Sequence, residues 1–158
     1  FLYTFSDTDL SGWEKEINSF TRWIAKAEAV FSGNRFPKIA GMTDVGTVFA
    51  QLEAYFAGRR KTFDLPLRFD EGTPFMKQVW QALCTVPYAH TASYKDIAEA
   101  VGNPKACRAV GMANHRNPIP IIIPCHRVIC ANGTLTGYAG GLEIKRKLLA
   151  LEGINILK

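Results

Sequence analysis

Apolar residues recur at helical spacing in several stretches of the chain. Over 13–31, Trp13, Ile17, Phe20, Trp23, Ile24 and Phe31 fall partly on one helical face, and a second helix is expected at 47–57, stopped by Gly58. Residues 59–73, with Pro66 and Gly72, interrupt the pattern and read as a connection. The periodicity then sharpens. Phe75, Val79, Trp80 and Leu83 mark a helix from about 74 to 85, and Ser93 suits the N-cap of a helix through Ala100 that stops at Gly102. Asn103-Pro104 is expected to open the next helix, with Asn at N-cap and Pro at N1, since its apolar positions Ala106, Ala109, Val110 and Ala113 also recur at helical spacing. A last helix is expected from near Leu142 to about Glu152.

This pattern predicts an α+β protein with two lobes. Residues 1–70 form a small N-terminal α+β lobe, and residues 71–158 a C-terminal, mainly helical lobe. In the second, two short helices joined by a tight Gly-Asn turn make a helix-turn-helix of winged-helix-like kind. Charge supports the division. Residues 1–70 hold nine Lys/Arg against nine Asp/Glu, whereas 71–158 hold ten against five, so the net charge of +5 lies wholly in the second lobe. Such an excess fits a lobe that meets a polyanion; it also fits a merely lysine-dotted surface.

Composition removes several other classes. Hydrophobic content of 47% with 21% charged residues is ordinary for a globular protein. Apolar runs such as Ile119 to Pro124 are far too short to span a bilayer, so no membrane association is expected. No secretory signal opens the chain, and because it begins with Phe1 a start further upstream is expected. The four cysteines, Cys84, Cys107, Cys125 and Cys130, include no CxxC pair and are accompanied by only three His, so neither a zinc site nor a disulfide framework is expected. A cytoplasmic location with reduced thiols follows as the expectation, and no cofactor motif is visible.

One of those thiols stands in a suggestive place. In Asn117-Pro118-Ile119-Pro120-Ile121-Ile122-Ile123-Pro124, three prolines fix φ and remove backbone donors, so a stiff apolar segment leads directly into Cys125-His126-Arg127. A thiol held this way beside a histidine is a candidate nucleophile. A free thiol is only a few per cent thiolate at neutral pH and needs a base or a favourable field. The same spacing also fits a buried structural cysteine. Neighbours in an extended segment point to opposite faces, so partnership with His126 requires that the backbone turn or that a water join the two.

Ile-Pro-Cys-His-Arg-Val at 123–128 is the active-site signature of the O6-alkylguanine-DNA alkyltransferases, and the chain closely resembles that family over roughly residues 50–156. Ordered matches include Ala-Tyr-Phe-Ala-Gly at 54–58, Thr-Pro-Phe at 73–75, Val-Trp at 79–80, Val-Pro-Tyr at 86–88 and Ser93-Tyr94. They continue through Gly102-Asn103-Pro104, Arg108 to Gly111, Asn117-Pro118, Thr136 to Gly141, Leu148-Leu149 and Glu152.

The resemblance implies a role for each matching residue. Cys125 would accept the alkyl group in a single, irreversible turnover. His126 would relay its proton through a water, Glu152 would orient and charge-balance that histidine, and Asn117 would hold the turn around the thiol. Lowering of the Cys125 pKa well below the free-thiol value is expected if His126 and Glu152 raise the thiolate fraction. Tyr94 would press on the 3′ phosphate of the target nucleotide and could protonate departing guanine. Arg108, on the recognition helix with Ala106 nearby, would enter the base stack in place of the extruded guanine; apart from the matching residues, Lys105 and Arg116 are expected to contact phosphates. Val128, Tyr138, Ala139 and Gly140 would line the guanine pocket. The implied partner is double-stranded DNA containing alkylated guanine, O4-alkylthymine being a further candidate, and the implied state is a monomer that needs no cofactor or metal.

Two other classes share parts of this pattern. Alkyltransferase-like proteins flag lesions without repairing them but lack the cysteine, and a thiol hydrolase or redox protein would need an oxyanion-hole motif or a CxxC. There are also departures from the family. His115 and Arg116 stand where it commonly has glycine, so His115 is expected to take any left-handed conformation without glycine's freedom. Residues 1–50 match the usual N-terminal lobe poorly.

Overall fold

The computed structural model describes residues 45–156, so the helical pattern at 13–31 lies outside the described residues. The chain divides into two compact units between Glu71 and Gly72. In the first, α1 spans Val45–Phe56 and buries Leu52, Tyr55 and Phe56. Gly58 follows at φ +70°, a left-handed value that ends the helix where the glycine in the sequence predicts. Residues 57–73 contain neither helix nor strand. Gln51 secures this stretch by a two-way amide contact: its Nε2 donates to the Asp64 carbonyl at 3.1 Å and the Asp64 amide donates to its Oε1 at 2.9 Å.

The second unit is α+β, its elements in order being α2 (Pro74–Cys84), β1 (Ala92–Ser93), α3 (Tyr94–Ala100), α4 (Cys107–His115), a single 3-10 turn at Cys125–Arg127, β2 (Val128–Ile129) and α5 (Leu142–Leu151). Thr73 caps α2 by accepting from the Met76 amide, and Pro74 sits in the first turn, where its missing donor costs nothing. Ser93 and Asp96 form a reciprocal capping box on α3, with bonds of 3.0 and 2.7 Å. The core is built from Val79, Trp80 and Leu83 of α2, Ile97 and Ala98 of α3, Val110 and Ala113 of α4, and Leu148 and Leu149 of α5. Trp80 adds a polar tie, its buried Nε1 donating to the Ala113 carbonyl at 2.9 Å and so holding α2 to α4.

The two strands pair in parallel, Ala92 with Val128 and Ser93 with Ile129. Short as it is, this sheet has a positional consequence. It joins the start of α3 to the segment that follows Cys125, which brings Tyr94 to the same region as the thiol.

One expectation needs correction. Helix α4 begins at Cys107 rather than at Asn103-Pro104, and Ala106 is its N-cap without a side-chain bond. Asn103 to Ala106 instead close a tight turn, the Ala106 amide donating to the Asn103 carbonyl at 2.9 Å. Proline at the second position of such a turn is as well accommodated as proline at N1, so the sequence signal serves either. The prolines of segment 117–124 make it stiff but leave its direction open. It folds back on itself, with the Ile123 amide donating to Ile119 at 2.9 Å and a bridge between Pro120 and Ile123. Ile121 adopts φ +75°, a strained value for a β-branched residue, and is held there by burial of Ile119, Ile121, Ile122 and Ile123.

Candidate active site around Cys125

Pro124 sets the thiol's position. At φ −82° and ψ 60° it is the centre of an inverse γ-turn, in which the Cys125 amide donates to the Ile123 carbonyl at 2.8 Å. The chain then enters the 3-10 turn, with the Arg127 amide donating to Pro124 at 3.0 Å. The backbone therefore turns between Cys125 and His126, one of the two conditions under which the neighbours could cooperate.

Asn117 grips this turn with its whole amide. Nδ2 donates to the Ile123 carbonyl at 2.8 Å and to Cys125 Sγ at 3.0 Å, while Oδ1 accepts from the Ile119 amide at 3.0 Å. Both amide hydrogens and the carbonyl oxygen are used, which fixes the orientation of the group. The contact to sulfur favours the thiolate.

His126 is wholly buried, and its Nε2 lies 2.9 Å from Glu152 Oε1. A carboxylate only accepts, so Nε2 carries the hydrogen and a neutral ring leaves Nδ1 as a bare acceptor. Nδ1 is buried and has no hydrogen-bond partner among the described residues. Burial holds the His126 pKa below its ordinary value, against the raising effect of Glu152, so the ring is neutral at pH 7 and able to receive a proton.

Glu152 is shared. Arg127 Nε donates to its Oε2 and Arg127 Nη2 to its Oε1, each at 2.9 Å, while Nη1 donates to the Val86 carbonyl at 2.6 Å. This is a fork-to-fork ion pair between buried partners. The 86–90 loop braces it. The Ala89 amide points at Glu152 Oε2 from 3.3 Å, Tyr88 Oη donates to the Leu151 carbonyl at 3.1 Å, and the Arg127 guanidinium lies 5.9 Å from the Tyr88 ring centre. Ala89 sits at φ +61°, strain accepted where its amide meets the carboxylate.

On the same face of α5, Lys145 is buried and donates Nζ to the carbonyls of Val128 and Thr136. Its charge favours the Cys125 thiolate, and burial lowers its own pKa. These influences do not prevail at the sulfur. Burial of Cys125 raises its pKa, outweighing Asn117, Lys145 and the backbone amides of Cys125 and His126. The expectation of a strongly lowered thiol pKa is therefore overturned, because a nearly solvent-free thiol loses more by desolvation than these dipoles return.

Cys125 opens on a cavity of about 630 Å³ whose wall includes Tyr94, Arg108, Asn114, Tyr138 and Ala139. Tyr94, the first residue of α3, is half-buried, and burial raises its pKa against the hydrogen bond from Thr136 that lowers it, so the phenol stays protonated. Burial likewise drives the Tyr138 phenol far up. Arg108 is exposed at the cavity's edge on α4. Lys105 is exposed in the turn before α4, Ala106 is half-buried at its N-cap, and Arg116 is exposed at its C-cap with φ −95°. The positive-φ residues other than glycine are Ala89 and Ile121 among the described residues, so His115 needs no left-handed conformation: α4 ends without one. Val128 and Gly140 stand outside the cavity wall. Val128 is fully buried in β2 and Gly140 is exposed in the turn before α5.

Sequence reasoning passed over Arg127, Lys145 and Asn114 as contributors. For Lys145 a signal existed, since Lys145, Leu148, Leu149 and Glu152 recur at helical spacing and so share the face that α5 buries.

Residues 74–154 match the 6-O-methylguanine DNA methyltransferase DNA-binding domain, and residues 43–69 match the ribonuclease-like domain of the same proteins. The methylated-DNA--protein-cysteine methyltransferase of Methanosarcina acetivorans is 65% identical over 103 residues, covering 65% of this chain and 65% of the relative. The constitutive enzyme of that name from Bacillus subtilis is 61% identical over 106 residues, covering 66% of this chain and 64% of the relative. A crystal structure of Mycobacterium tuberculosis OGT in complex with DNA superposes with a TM-score of 0.67 at 55% identity, covering 68% of this chain and 65% of that one. The chain thus spans just under two thirds of the length of these relatives. With the DNA-binding-domain match running through α2 to the end of α5, and with Cys125, His126 and Glu152 in place within it, the chain belongs to the 6-O-methylguanine DNA methyltransferase family.

Proposed function

We propose that this protein repairs DNA directly, taking the alkyl group from O6 of guanine onto Cys125 and keeping it there. The observation that carries the reading is the arrangement at the thiol. Cys125 faces the cavity, Asn117 holds its sulfur, and the neutral His126 beside it has a bare Nδ1 backed by Glu152. In the reaction the Sγ–H proton passes through a water to His126 Nδ1. Sulfur then attacks the alkyl carbon, a C–S bond forms, and the C–O6 bond breaks with its electrons going to guanine. Glu152 stabilises the imidazolium, and the protonated Tyr94 phenol in the cavity wall serves as donor to the departing base. A thioether is not reopened by any ordinary base, so each molecule acts once.

The raised Cys125 pKa gives this sequence a sense. A resting thiol that is mostly protonated is protected from casual alkylation, and the thiolate forms only when the target is seated and the proton has somewhere to go.

DNA is the proposed macromolecular partner. An O6-alkyl group is out of reach inside a duplex, so the nucleotide must be extruded, at an unstacking cost of a few kcal/mol. α3 and α4, joined by the turn at 101–106, serve as the helix-turn-helix, with Lys105 and Arg116 on phosphates and Arg108 filling the vacated stack. Both the partial superposition on a DNA-bound relative and the basic excess of residues 71–158 support this.

Intact-mass analysis after incubation with O6-methylguanine DNA tests the whole reading. One methyl per molecule, mapped to Cys125, is the expected result; repeated turnover, or a methyl on Cys84, Cys107 or Cys130, would overturn it. Arg108→Ala is expected to impair transfer from duplex DNA much more than transfer from free O6-benzylguanine, which requires no extrusion. Equal losses with both substrates would place Arg108 in the fold or the pocket. The salt dependence of binding gives a second check, because losing a phosphate-facing cation lowers the slope of log K against log salt by about one. Lys105 and Arg116 variants should show that change, and Arg108→Ala less of it.

A further inference from the structure

Five residues of α4 line the cavity: Cys107, Arg108, Gly111, Asn114 and His115. Their spacing puts them on one helical stripe, while Val110 and Ala113 turn to the core. Asn114 is the anomaly of that stripe. Both of its amide atoms are shielded from solvent, and neither has a hydrogen-bond partner among the described residues. A buried carboxamide left wholly unpaired is costly, and apolar side chains of the same size would serve packing better. Asn117, three residues on, uses both hydrogens and the oxygen of the same group.

We propose that Asn114 is a specificity-determining residue that pairs with the edge of the extruded base, an inference that rests on the function proposed above. A carboxamide offers a donor and an acceptor side by side, and its complement is an acceptor beside a donor. Alkylation at O6 creates that complement. It removes the hydrogen from guanine N1, making N1 an acceptor, and leaves the 2-amino group as a donor. Unmodified guanine presents two donors there, and O4-alkylthymine presents two acceptors and no donor. Asn114 therefore matches alkylated guanine and mismatches both alternatives. Rotation of the side chain towards the cavity exchanges an unpaired amide for a paired one, which makes the free protein's cost a source of discrimination: a site with buried polar groups rejects ligands that leave them unpaired.

The test is a two-by-two comparison of single-turnover methyl transfer. The wild type and Asn114→Leu are each given matched duplexes containing O6-methylguanine or O6-methylhypoxanthine, which lacks the 2-amino group. In the wild type, loss of that group should slow transfer. In Asn114→Leu, the penalty should shrink by about tenfold, as expected once there is no buried acceptor for the missing amino group to leave unpaired, and the melting temperature should hold or rise because two unpaired polar atoms are gone. Asn114→Ala, which also removes the acceptor for the 2-amino group but with a smaller side chain, should show the same reduced penalty and serves if the Leu variant does not fold. The same penalty in wild type and variants, or rates that fall together with a lowered melting temperature, would overturn the proposal and leave Asn114 a structural residue. A wild type that transfers nothing from O6-methylguanine would instead overturn the function itself, and this proposal with it.

Discussion

Cys125→Ala is expected to abolish alkyl transfer completely while leaving affinity for duplex DNA unchanged. Two other thiols border the same cavity, so the loss is not a trivial consequence of removing sulfur. Cys130 Sγ is engaged with Thr136 Oγ1 at 3.3 Å, and Cys107 Sγ is directed to the Pro104 carbonyl at 4.0 Å. Among the described residues neither has an amide donor like Asn117 or a histidine acceptor within its hydrogen bonds, so neither is expected to replace Cys125 as the acceptor. Residual transfer mapped to Cys130 would defeat this argument. The substitution should also change how stability depends on pH. Burial raises the folded-state pKa of Cys125. Above about pH 8.5 the unfolded chain releases the thiol proton and the folded protein retains it, so unfolding is favoured as pH rises. The wild type should accordingly lose stability on the alkaline side faster than Cys125→Ala, as measured by thermal unfolding in parallel. Identical alkaline limbs would mean that the thiol is not desolvated as its surroundings indicate.

How much of this was legible beforehand divides along a physical line. Helices read from periodicity and caps, such as Pro74–Cys84 and Tyr94–Ala100 with its Ser93 cap, are local statements, and those lie where the sequence places them. Asn103-Pro104 is equally good chemistry for a tight turn and for a helix start, and tertiary packing selects the turn. The prolines around Cys125 announce a fixed backbone but not its direction, since the fold-back at 117–124 depends on an Ile held at positive φ by surrounding apolar contacts. Electrostatics were the least legible. Residues 126 and 152 pair across 26 positions, and the sign of the thiol shift depends on how deeply Cys125 is buried, a quantity that no spacing encodes. Arg127 was in view as part of the signature, yet its partners, Glu152 and the Val86 carbonyl, come from opposite ends of the lobe.

That network supplies the second large effect. Glu152→Gln is expected to destabilise the protein by about 3–5 kcal/mol, the usual consequence of removing one member of a buried ion pair. The size of Gln is right and its chemistry is wrong. Arg127 would keep its buried charge without a counter-charge, and one end of the new amide would present hydrogens to the donors of Arg127 and His126. Transfer should slow sharply even at temperatures where the variant stays folded. Glu152 is what keeps hydrogen on His126 Nε2 and lone pair on Nδ1, and it is also what raises the histidine's pKa against desolvation. Without it, the ring should titrate lower still. Because the folded-state pKa is already depressed, an unfolded chain binds a proton at His126 below about pH 6.5 that the native protein refuses, so stability falls as pH falls through that region. In Glu152→Gln the folded pKa lies lower, and the loss should continue to more acid pH. Chemical denaturation at pH 7 and at pH 5, together with the NMR titration of the His126 ring, measures each part. A destabilisation below about 1 kcal/mol, the scale of an exposed pair, with an unchanged rate of transfer would show that Arg127 and His126 hold their places without the carboxylate.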